Sequence, residues 1–129
     1  MVDDDPEVLA LARDILGMEG FAVLEASGGE DALRVAKEHA GPIHLLLTDV
    51  MMPGMNGPEL AHRLRATGRE TKVLFMSAYT SELAAAYGVL SADPLITKPF
   101  TVMGLAKKVR HTLGYQSPFS RPGAPERRA

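Results

Sequence analysis

Not one cysteine occurs in the 129 residues, so disulfide frameworks, thiol chemistry and cysteine-based metal sites are all excluded. Tryptophan is absent too, and aromatic residues make up only 5% of the chain. A core built here must rest on aliphatic side chains. No apolar run approaches the length of a membrane-spanning helix, and no signal peptide is visible. Neither sign of charge is in marked excess, with 14 Lys and Arg against 16 Asp and Glu. The formal net charge is −2 and the pI near 6.1, which leaves no electrostatic footprint for nucleic acid or an anionic membrane. A soluble, cytoplasmic chain of one domain is the simplest expectation, since 46% of residues are hydrophobic and 23% charged.

What is present is organised around residues 43–57. The run begins apolar from Ile43 to Leu47, with the weak alternation expected of a strand covered on both faces. Asp49 follows, and then the breakers Pro53, Gly54 and Gly57. A carboxylate thus stands where a buried parallel strand emerges into a loop. Ligands and chemistry gather at such carboxyl ends in open α/β sheets.

The rest of the chain alternates in the same way. Asp5-Pro6 reads as an N-cap with proline at the first helical position, and Val8, Leu9, Ala12, Ile15 and Leu16 share a helix face. Phe21 to Ala26 reads as a strand, and Ser27 to Glu30 has the spacing of a capping box. The helix behind it presents Ala32, Leu33 and Ala36 inward. A third helix starts at Pro58 and buries Leu60, Ala61 and Leu64. Strands follow at Val73–Met76 and Leu95–Thr97, with a short helix, Glu82 to Tyr87, between them. Thr101 caps a last helix with Val102, Leu105, Ala106 and Val109 inward and Gly114 as its stop. From Tyr115 the composition turns to Pro, Arg and Ser without periodicity. Residues 1–114 therefore read as the domain and 115–129 as a flexible tail or linker.

Repeated β-α units imply a doubly wound α/β fold: a five-stranded parallel sheet in the flavodoxin-like order 2-1-3-4-5, with right-handed crossovers. Its first strand is truncated, because only Met1 and Val2 precede the acids. Every conspicuous polar residue falls at the carboxyl end of a strand: Asp3 and Asp4, Asp49, Ser77 and Lys98. Clustered carboxylates repel unless a cation sits among them, and oxygen ligands with room for water suit Mg2+. Lys98 offers a point charge, and Ser77 a hydrogen bond, to phosphoryl oxygens. His39, His44, His62 and His111 show no metal-ligand spacing, and Gly28-Gly29 lies in no phosphate-loop motif.

Taken together, Asp3-Asp4, Asp49 with Met52-Pro53-Gly54 and Asn56-Gly57, Ser77-Ala78 and Lys98-Pro99-Phe100 resemble the receiver domain of bacterial response regulators. The resemblance covers about residues 1–114. It implies that Asp49 accepts a phosphoryl group from a histidine kinase or histidine phosphotransfer protein. It also implies that Asp4, Asp49 and the backbone carbonyl of Met51 bind Mg2+, with Asp3 acting mainly through water. Ser77 and Lys98 would contact the phosphoryl group, and Lys98–Pro99 would be a cis peptide. Such a domain is not an enzyme on an external substrate, although it catalyses its own phosphorylation and dephosphorylation. The expected partner is that protein donor, with no direct contact to nucleic acid or membrane, and the expected state a monomer or weak dimer. The rival reading is a receiver-like interaction module that does not cycle phosphate. Three features depart from the family pattern. Leu95 stands where many receivers carry an aromatic residue, the region 81–94 has little amphipathic pattern, and the first strand is short. The first two, with Tyr79-Thr80, look like receivers attached to hybrid sensor kinases.

Overall fold

A computed structural model describes residues 1–78, 81–90 and 92–114. The expected tail at 115–129 and the Tyr79-Thr80 pair lie outside the described residues. The elements run α1 (Pro6–Met18), α2 (Gly29–Glu38), β1 (Leu45–Asp49), α3 (Gly57–Ala66), β2 (Lys72–Ser77), α4 (Ser81–Ala86), β3 (Leu95–Thr97) and α5 (Val102–Leu113).

The three strands form one parallel sheet in the order β1-β2-β3, with Asp49 level with Met76 and Ser77 level with Thr97. Alternation along the strands divides the core. Leu46, Val73 and Phe75 join Leu60 and Leu64 of α3 and Ala32 and Ala36 of α2 on one face. Leu47, Leu74 and Met76 join Ile15 and Leu16 of α1 and Leu105 and Val109 of α5 on the other. Helices on both faces are what buried parallel strands require.

The first two expected strands are reduced to single bridges. Val2 bridges Ala26 on one side and Thr48 on the other, both parallel, and Phe21 to Leu24 form no ladder. The reason is local. With so little chain in the central position, the 21–26 segment has one short neighbour to pair with. The described sheet is therefore an α/β parallel sheet of three strands, narrower than the five expected. β1 also sits two residues later than expected at its start and includes Asp49.

Local signals account for the helix ends. Asp5 caps α1 by accepting from the Glu7 amide at 2.9 Å, Asn56 caps α3 from Glu59 at 2.8 Å, and Thr101 caps α5 from Gly104 at 2.9 Å. The expected capping box at Ser27 is not the one formed. Gly28 is the N-cap of α2, and Asp31, not Glu30, reaches back to the Ser27 amide at 3.1 Å. The far end of α2 is held by Arg69, whose guanidinium donates to the carbonyls of Ala36, His39 and Gly41 at 2.8–3.1 Å. Val102, expected inward, is exposed at the start of α5. Among the described residues no helix is long and apolar enough to cross a membrane.

Candidate functional site

The carboxyl edge of the sheet gathers the polar residues singled out by the sequence. Asp49 is the last residue of β1 and Ser77 the last of β2, while Lys98 follows β3 directly. Asp3 arrives beside them because Val2 is pinned between two neighbours: its amide donates to the Leu47 carbonyl at 2.8 Å, and the Asp49 amide donates back to its carbonyl at 3.0 Å. Carboxylate oxygens of Asp3, Asp4 and Asp49 lie within 4.8 Å of one another, the one such acidic group among the described residues.

Each acid has a different setting. Asp3 is fully buried, accepting from the Asp5 amide through Oδ1 at 2.9 Å and from Lys98 Nζ through Oδ2 at 2.7 Å. Asp4 is exposed. Asp49 is nearly buried, and its Oδ1 lies 3.4 Å from Lys98 Nζ. Burial pushes the Asp49 carboxyl up to about 6; Lys98 opposes this, and the charges of Asp3 and Asp4 add to it. Burial works against the charge on Lys98, yet its bond to Asp3 and the nearby Asp49 hold its pKa above the ordinary lysine value. Three carboxylates thus face one ammonium, a surplus of negative charge that a hard cation with oxygen ligands relieves. The donor set fits Mg2+.

The loop after Asp49 is closed by a glycine whose role sequence reasoning missed. The sequence marks Gly57 as a breaker and as part of the receiver-like motif, not as a packing contact. A Cβ there would lie 2.3 Å from the Asp49 carbonyl oxygen, while the Gly57 amide donates to the Val50 carbonyl at 2.9 Å. Only a residue without a side chain lets α3 begin so close to the strand exit. No periodicity signals such a contact. The cis Lys98–Pro99 peptide implied by the resemblance is present, and the Lys98 amide donates to the Ser77 carbonyl at 2.8 Å. Ser77 itself is buried. The backbone carbonyl of Met51, implied as a metal ligand, sits in the same loop on a half-buried residue.

A parallel α/β sheet with an acidic group, a hydroxyl and a lysine along its carboxyl edge defines a class, and sequence comparison agrees. The family model for the response regulator receiver domain matches residues 1–110, and the chain belongs to that family. It is 41% identical over 114 residues to the transcriptional regulatory protein CpxR of Klebsiella pneumoniae, covering 88% of this chain and 47% of that one. It is 34% identical over 119 residues to the sensor kinase CckA of Brucella abortus, covering 90% of this chain and 12% of the kinase. The chain thus spans about half the length of the regulator and a smaller part of the kinase. Among solved structures, the receiver domain of the hybrid histidine kinase CckA aligns with a TM-score of 0.72 at 36% identity, over 87% of this chain and 94% of that one. The response regulator TrrA of Thermotoga maritima, solved in complex with Mg2+-BeF, aligns with a TM-score of 0.69 at 31% identity, over 86% and 94%.

Proposed function

We propose that residues 1–114 form a phosphoacceptor switch in which Asp49 takes a phosphoryl group from the phosphohistidine of a kinase or phosphotransfer protein. The observation that carries this reading is the position of Asp49: next to Lys98 and within 4.8 Å of two further carboxylates, at the exit of β1. In the transfer, an Asp49 carboxylate oxygen attacks phosphorus, an O–P bond forms, and the N–P bond of the donor breaks, leaving the imidazole with the electron pair. The Asp4 and Asp49 carboxylates and the Met51 carbonyl would hold Mg2+, which when bound neutralises charge on the transferring oxygens. Asp3 acts behind them. Its full burial and its bonds to Asp5 and Lys98 suit a positioning group that works on the ion through water.

Lys98 balances the charge of the transferring group, and the Ser77 hydroxyl donates to one of its oxygens. The chain has no other substrate; it catalyses only the gain and loss of its own phosphoryl group. The complete sheet would have the order 2-1-3-4-5, a reading supported by the two parallel bridges of Val2. We place the domain in the cytoplasm, as a monomer or weak dimer, without direct contact to nucleic acid or membrane. The likeness to the CckA receiver supports attachment to a hybrid kinase. The intact acid, hydroxyl and lysine set weighs against a module that does not cycle phosphate.

The test is transfer from a labelled phosphohistidine donor in the presence of Mg2+. Label should pass to this chain and stay on the donor when chelator replaces Mg2+ or when Asp49→Asn is used. Transfer that proceeds equally in all three mixtures would overturn the assignment.

A further inference from the structure

The loop between Asp49 and α3 is held from both sides. On the near side, Met55 is buried in a notch at the start of α2, where a Cβ on Gly29 would lie 2.7 Å from its Sδ. At its end, Gly57 is pressed on the Asp49 carbonyl and its amide donates to the Val50 carbonyl at 2.9 Å. A shift at Asp49 therefore moves the start of α3 with it. The far side of the loop meets the end of α4. Asn56 Oδ1 accepts from the Glu59 amide at 2.8 Å, and Nδ2 donates to the Tyr87 carbonyl at 3.5 Å. That carbonyl stands just past the last residue of α4, where carbonyls have no partner within the helix. Alongside, Gly88 has φ +105°, and a Cβ there would lie 3.2 Å from the Cβ of Pro58. One side chain thus caps the start of α3 and the end of α4.

We propose that Asn56 is a tie through which a change at Asp49 reaches the end of α4 and the exposed Leu90 beyond it. This rests on Asp49 being the phosphoacceptor. A plain helix cap needs only the acceptor, which Ser, Thr or Asp supply as well as Asn. A carboxamide adds a donor on a separate atom. Because the Glu59 N–H requires an oxygen, the partners themselves fix which way the carboxamide faces. The bond to Tyr87 is the longer of the two, so it is the joint that a small shift of the loop makes or breaks.

What lies past the joint can carry the change outward. The Gly88 and Val89 amides close the last turn of α4 by donating to the Ala85 and Ala84 carbonyls at 3.0 and 3.2 Å. Val89 is buried and anchors the segment, while Leu90 is 69% exposed and its amide donates to Asp93 Oδ2 at 2.7 Å. Loosening Tyr87 therefore frees a turn that ends in an exposed leucine. The route needs no aromatic side chain at position 95, where this chain has Leu95.

The test compares the natural chain with Asn56→Asp and Asn56→Ser. Both variants keep an acceptor for the Glu59 amide, so α3 stays capped, and neither presents a donor to Tyr87: Asp has none and Ser is too short. Intact mass after incubation with a small phosphodonor and Mg2+ gives the labelled fraction, and amide hydrogen exchange is read on the same samples with and without the donor. In the resting chains Gly88 and Val89 should exchange about fivefold faster in both variants, with α3 unchanged, as expected when one hydrogen bond holding a local unit is lost. On labelling, exchange at residues 87–90 should change in the natural chain and stay constant in variants labelled to the same extent. Equal resting exchange in all three proteins would overturn the proposal, as would labelled variants that respond at 87–90 like the natural chain. A natural chain that takes no label would instead overturn the phosphoacceptor reading, and the resting comparison then decides the tie by itself.

Discussion

Replacing Asp49 by Asn should stabilise the metal-free protein at neutral pH. The carboxyl is raised from its ordinary 3.8 to about 6, first by burial and then by Asp3 and Asp4, with Lys98 only partly offsetting them. At ~1.4 kcal/mol per pH unit the ionised group costs the fold on the order of 3 kcal/mol at pH 7.5. Water reaching the partly open carboxylate reduces this to about 1–2 kcal/mol. Because the folded pKa lies above the unfolded one, the native state binds more protons between about pH 4 and 6, and stability falls as pH rises through that window. Asn removes the charge and keeps the shape. The gain should be full above about pH 7 and absent below about pH 4, where both proteins are neutral at this position. Lys98 keeps its 2.7 Å bond to Asp3 in the variant. Urea unfolding with chelator present, at pH 7.5 and pH 4, measures the difference. Adding Mg2+ should then stabilise the natural chain far more than the variant, by about 2.7 kcal/mol at a hundredfold excess over Kd. A variant less stable than the natural chain at pH 7.5 without metal would refute this electrostatic picture.

Three further outcomes follow from other contacts. Arg69→Ala removes three hydrogen bonds to the carbonyl end of α2 and should lower stability by about 1–3 kcal/mol in urea unfolding; a change under ~0.5 kcal/mol would show that water replaces the guanidinium. Gly57→Ala places a methyl 2.3 Å from the Asp49 carbonyl, so the loop must shift at a cost of about 1–3 kcal/mol, and Mg2+ affinity measured by chemical-shift titration should fall with it. Phosphorylation should shift amide signals across residues 81–114, where Leu83, Leu90, Val102 and Met103 are exposed, and through Leu95, which cannot act as an aromatic rotor; shifts confined to residues 21–40 would contradict this output surface.

The site was more legible than the sheet, for physical reasons. Asp49, Ser77 and Lys98 each end a short apolar run, and a parallel sheet brings such ends together whatever the details of pairing. Caps were equally plain at Asp5 and Thr101, where a hydroxyl or carboxylate precedes a periodic stretch. Phe21–Ala26 misled because its apolar pattern is that of a strand, but a strand needs a neighbour and Val2 supplies a single bridge. The Ser27–Glu30 spacing points to a capping box, but with Gly28 as N-cap it is Asp31, one residue later, that reaches the Ser27 amide. The Gly57 contact depends on how the loop after β1 folds back onto the Asp49 carbonyl, which no hydrophobic periodicity encodes.

The most direct measurement is the intact mass of the chain after incubation with a small phosphodonor and Mg2+. The natural sequence should gain one phosphoryl group, chelator should prevent the gain, and Asp49→Asn should gain none. Equal labelling of the natural chain and Asp49→Asn would contradict the assignment of Asp49 as the phosphoacceptor.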